Sequence, residues 1–66
     1  MFIVEKGNAK MISIEFQDSS GNWRQGSLTT NISQQILAAM KSLQWTYPSS
    51  RIRAVDTTSG RVVDIL

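Results

Sequence analysis

From Lys10 to Gln17 apolar and polar side chains alternate with a period of two, which sets Ile12, Ile14 and Phe16 on one face of a strand. Asp18-Ser19-Ser20-Gly21-Asn22 follows, a run that favours a turn through side-chain capping and positive φ, and Trp23 to Thr29 returns as a second strand. Arg51 to Val55 and Arg61 to Leu66 flank a second turn, Asp56-Thr57-Thr58-Ser59-Gly60, and form a second hairpin. Between the hairpins the period changes. Ile32, Ile36, Met40 and Leu43 recur at the spacing of an amphipathic helix, Asn31-Ile32-Ser33-Gln34 has capping-box spacing, and Pro48 stops continuation past Tyr47. The helix is therefore expected over about residues 32–45. Ahead of the first hairpin, residues 1–10 read either as an edge strand built on Phe2-Ile3-Val4 or as a loose tail.

The predicted order is (β)ββαββ: a two-layer α+β fold, with two hairpins forming a four- or five-stranded, mainly antiparallel sheet and one helix on one face. A chain of 66 residues holds one small domain, taken here as 1–66. The initiator-like Met1 and a strand ending at Leu66 read as a complete short protein.

Loop lengths predict the pairing. A four-residue loop at 57–60 sets Asp56 opposite Arg61, Val55 opposite Val62, Ala54 opposite Val63, Arg53 opposite Asp64 and Ile52 opposite Ile65. A five-residue loop at 18–22 sets Ile12 opposite Leu28 in the core and turns Trp23 outward beside Gln17 and Glu15. A register shifted by one, with Ile14 opposite Ser27, buries less. Ile52, Ala54, Val63 and Ile65 are then expected under the helix. The other sheet face carries Trp23, Val55, Val62 and Leu66 among Glu15, Arg51, Arg53 and Asp64, a mixed surface of the kind found at interfaces.

Composition narrows the chemistry. With no cysteine and no histidine, the chain has no disulfide, no thiol nucleophile, no imidazole base and no zinc-finger ligand set. The carboxylates Glu15, Asp18, Asp56 and Asp64 are candidates for acid–base or metal chemistry, but both turn aspartates sit where Asp caps its own turn. Gly21 and Gly60 lack any phosphate-cradling context. The chain is thus expected to be no enzyme and to use no cofactor or metal. Met1 to Val4 is too short for a signal-peptide core or a membrane span, so a cytoplasmic protein with no membrane partner is expected.

Seven Lys plus Arg against five Asp plus Glu give a net charge of +2, too little to decide for nucleic acid. The candidate partner-binding residues are Trp23, Arg24, Arg51, Arg53, Val55 and Val62 on the sheet, with Lys41 and Trp45 on the helix. Each has a plainer explanation beside it. Trp23 can pack across the sheet on Val55 or Val62, and Trp45, which falls opposite the helix stripe, can fold back from a loosened helix end to cap the core. The arginines can pair across strands, Arg53 with Asp64 and Arg61 with Asp56. The favoured function is a non-catalytic protein-interaction or accessory module whose partner is another protein or a second copy of itself. The alternative is a weak nucleic-acid-binding module in which Trp23 stacks a base and arginines hold phosphates.

Overall fold

The computed structural model describes residues 11–66; the strand or tail expected at 1–10 lies outside them. β1 (Met11–Gln17), β2 (Trp23–Thr30), α1 (Ser33–Thr46), β3 (Ile52–Asp56) and β4 (Val62–Ile65) follow in order. The strands form one antiparallel sheet in the order β2-β1-β3-β4. The fold is α+β, a four-stranded sheet with one helix packed on it.

Local chemistry builds both hairpins. The Asp18 carboxylate accepts the amides of Ser20 and Asn22, both at 2.9 Å, and Gly21 takes the positive φ of 88° that closes the loop. At the second turn Asp56 Oδ1 accepts the amide of Thr58 at 2.8 Å, and Gly60 has φ 77°. The Asp56 amide donates to the Arg61 carbonyl, which closes the expected loop of residues 57–60.

Next to each turn the register is the expected one, with Gln17 opposite Trp23, Glu15 opposite Gln25 and Val55 opposite Val62. Farther out, each hairpin slips by one residue at a β-bulge. In β2 the unpaired residue is Gly26, after which Ile14 faces Ser27 and Ser13 faces Leu28. In β4 it is Val63, after which Ala54 faces Asp64 and Arg53 faces Ile65. The expected pairs Ile12–Leu28, Ala54–Val63, Arg53–Asp64 and Ile52–Ile65 are therefore not formed. The central pair β1–β3 is regular throughout, so both irregularities lie on the edge strands.

The core is Ile12 and Ile14 of β1, Ile52 and Ala54 of β3, and Ile36, Met40 and Leu43 of α1, with Phe16 and Ala39 packed against it. Val63 and Ile65, expected under the helix, are exposed: α1 touches β1, β2 and β3 but not β4, and the bulge at Val63 turns Ile65 to the opposite face.

The helix starts one residue later than expected and without the capping box. Ile32 is the N-cap and no side chain caps it; Thr30 Oγ1 instead donates to Gln35 Oε1. Ile32 is accordingly exposed at the head of the stripe. At the other end the helix does not loosen before Pro48. It holds to Thr46, and the Tyr47 amide still reaches the Leu43 carbonyl at 2.9 Å. Trp45 stays in helical phase on the far side and is 88% exposed, so it does not cap the core. Tyr47 does so, its ring stacked on Phe16 with centroids 3.9 Å apart.

Candidate functional site: the outer face of the sheet

Cross-strand partners share a face, so the registers define rows across the side of the sheet away from the helix. One row runs Leu28, Ser13, Val55, Val62; the next runs Gln25, Glu15, Arg53, Ile65; Trp23 and Gln17 begin a third. Ser13, the small residue in the middle of the first row, is buried, and the larger apolar side chains stand on either side of it. Leu28, Val62 and Ile65 are 49%, 44% and 54% exposed, and Val55 is half-buried.

The two bulges decide this composition. Without them Leu28 would face Ile12 and Ile65 would face Ile52, both on the helix side. One extra residue in each edge strand flips everything beyond it to the opposite face, and this brings Leu28 and Ile65 out beside Val55 and Val62. Neither residue was expected on this face. Gly26, a glycine inside a strand, is the sequence signal that marks the first bulge; the second, at Val63, has no comparable mark.

A polar clamp crosses the centre of the face. The Arg53 Nε donates to Glu15 Oε1 at 2.8 Å, Ser13 Oγ donates to Glu15 Oε2 at 3.1 Å, and the Arg53 guanidinium lies 4.1 Å from the centre of the Trp23 ring. Glu15 thus replaces Asp64 as the partner expected for Arg53, and Arg53 takes the place of Val55 or Val62 as the cover of Trp23. Asp64 lies opposite Ala54, on the helix side, and its carboxylate accepts the amide of Ile65 at 2.9 Å. Arg61 enters no ion pair among the described residues, so the expected pairing with Asp56 is not made.

The remaining candidates lie at the end of this face or beyond it. Arg24 faces Phe16 on the helix side and reaches Asp18 Oδ2 at 2.7 Å. The side-chain hydrogen bond from Arg24, followed by the backbone bond from Asn22, holds the Asp18 carboxyl below the usual carboxylate range. Arg51, just before β3, is exposed, and its carbonyl accepts the Gln17 amide at 3.0 Å, which sets it beside Gln17 at the end of the outer face, as expected. Trp45 and Lys41 form a separate shelf with Gln44 and Pro48 on the helix.

Concave surface offers little reactive chemistry. An open groove of about 1060 Å³ between β2 and α1 is lined by Gly26, Leu43, Ala39, Tyr47 and a run of hydroxyl side chains. Among the described residues Arg24, already held by Asp18, is the one charged residue on that lining. Among the described residues no group of three Asp or Glu could hold a metal ion, and no helix is long and apolar enough to cross a membrane. No protein-family model matches the chain, and no curated protein or solved structure shows significant similarity to it.

Proposed function

We propose that this chain is a non-catalytic protein-interaction module, acting in the cytoplasm, whose contact surface is the outer face of the sheet. The observation that carries this reading is the pair of edge bulges. Each takes an aliphatic residue from the helix-side register and leaves it about half exposed on the outer face, where full burial of such a side chain is worth about 1.5–3 kcal/mol. An apolar row of this kind, around an ion pair satisfied within the face, resembles the centre of a protein interface more than a solvated sheet surface. The nucleic-acid alternative has less support. The Trp23 ring a base would need is covered by Arg53, and Arg53 and Arg24 are both engaged with carboxylates.

The test is site-specific photo-crosslinking in cells that make the protein, with a benzophenone amino acid at position 62 and, as control, at position 37 on the exposed helix face. Protein adducts at 62 in clear excess over 37 are expected. Equal labelling at both positions, or adducts at 62 that nuclease removes, would refute the reading.

A further inference from the structure

We infer that the occupant of the outer sheet face is a second copy of the chain, docked face to face about a two-fold axis lying between the sheets; this rests on the interface reading above. Two other geometries are disfavoured by the fold. Joining the sheets edge to edge needs a regular free strand, but β2 is interrupted at Gly26 and β4, only four residues long, at Val63. Bulges and short edges are the devices that block such pairing. Contact through the helix would leave the row of Leu28, Val55, Val62 and Ile65 in water.

Charge and area both bear on self-docking. In an isologous contact each face meets itself, so an unbalanced charge would repel its own image. Glu15 and Arg53 at the centre of the face are already bonded to each other, and Arg51, exposed beside Gln17 at the end of the face, is the one charge left over among its described residues. Seven residues of β1 run roughly 20 Å and four strands cover roughly 19 Å, giving a face of about 400 Å² in projection. Two copies contribute twice that, and accessible area exceeds projection because side chains stand proud. The total, about 800 Å² in projection, lies below the roughly 1,200 Å² of standard interfaces, in the size class of weak and transient contacts. Aligned packing of two such sheets makes a sandwich with a helix on each outer surface. An interface this small sets the expected dissociation constant in the micromolar range, about 1–100 μM.

The experiment uses the whole chain. Sedimentation equilibrium is run from about 1 μM to 1 mM, a range that brackets that constant, and isotope-filtered NMR on a mixture of labelled and unlabelled copies looks for contacts between them. The inference expects a mass rising from 7.4 kDa to twice that value, with intermolecular contacts among the methyls of Leu28, Val55, Val62 and Ile65. Val62→Lys, exposed and at an edge, should fold and raise the dissociation constant at least tenfold; Leu37→Lys on the helix should leave it unchanged. A monomer throughout the range overturns the inference, as does a dimer indifferent to Val62→Lys. The crosslinking experiment separates the two readings. Adducts at 62 to a different protein keep the interface and remove the second copy, whereas no excess at 62 removes both.

Discussion

Gly26 is the residue on which the β2 bulge and the helix packing meet, and replacing it by alanine tests both. An added Cβ would lie 2.5 Å from Leu43 Cδ1 and 2.7 Å from Cδ2. Carbon atoms rest at about 3.5–4.0 Å, so the leucine would have to withdraw by roughly 1 Å. Those methyls are the far end of a flexible side chain beside the open groove, but Leu43 Cγ would also be close, at 3.2 Å, so turning the methyls away relieves only part of the clash. The backbone itself is no obstacle, because the positive-φ glycines among the described residues are Gly21 and Gly60 alone. Two effects then oppose each other: overpacking costs about 1–3 kcal/mol, while the stiffer unfolded chain returns about 0.4–1 kcal/mol. The expected net loss for Gly26→Ala is about 0.5–2 kcal/mol, and at this chain length each 1 kcal/mol lowers Tm by about 4–8 °C. The assay is urea unfolding followed by far-UV circular dichroism, repeated in a Leu43→Ala background. That background alone costs about 2–5 kcal/mol, so all variants carry the same stabilising osmolyte. With the leucine methyls gone, Gly26→Ala should be neutral or stabilising by up to about 1 kcal/mol. Equal destabilisation in both backgrounds would show that the bulge backbone, and not Leu43, demands glycine.

Three further outcomes are expected. Tyr47→Ala, which removes the ring stacked on Phe16, should cost about 1–3 kcal/mol by chemical denaturation, whereas Trp45→Ala should stay within about 0.5 kcal/mol; the reverse order would mean that Trp45 caps the core. Arg53→Ala, which breaks the bond to Glu15 and uncovers Trp23, should cost about 1–2 kcal/mol and shift the tryptophan emission, while Arg24→Ala, at an exposed pair, should cost under about 0.5 kcal/mol. The Asp18 carboxyl is held below its unfolded value, so its contribution is present above the unfolded pKa and fades as pH falls through the folded one; the denaturant midpoints of the parent and Asp18→Asn should differ at pH 7 and converge on acidification, and a gap that persists when Asp18 is protonated would contradict the assignment.

The element order, the two turns and the registers beside them were legible in the sequence, because each rests on chemistry within a few residues. Asp18 and Asp56 cap their own turns, Gly21 and Gly60 supply the positive φ, and the loop lengths follow. The far halves of both hairpins were not legible. A period-two pattern assumes an unbroken strand, and one bulge reverses every assignment beyond it. Gly26 could have been recognised as a bulge residue; Val63, a good strand former in a run of valines, could not. The helix shows the same division. Its stripe of Ile36, Met40 and Leu43 followed from spacing, while the expected Asn31 cap lost to a Thr30–Gln35 hydrogen bond that depends on how β2 enters the helix. For the outer face, Trp23, Glu15, Arg51, Arg53, Val55 and Val62 were placed together correctly; Leu28 and Ile65 were missing because they arrive there through the bulges, and Asp64 and Leu66, expected there, are turned to the helix side by the bulge at Val63.

Placing both bulges on edge strands has a consequence for the whole molecule. The interior strands β1 and β3 are regular and hold both layers, with Ile12, Ile14, Ile52 and Ala54 beneath the helix and the Glu15–Arg53 pair on the reverse. The edges are free to depart from that register at modest cost, since among the described residues each is bonded on one side only. What they gain by departing is twofold. The free edge becomes a poor template for another strand, and the aliphatic side chains that a regular hairpin would turn toward the helix reach the outer face instead. For β4 the change is nearly costless, because α1 does not extend over it and Ile65 would find no cover on that side. For β2 it lets Leu43 settle onto a backbone with no side chain at Gly26. Blunted edges beside a face that carries Leu28, Val55, Val62 and Ile65 are the ground on which the interface proposed above is placed on the outer surface of the sheet and not on its rim.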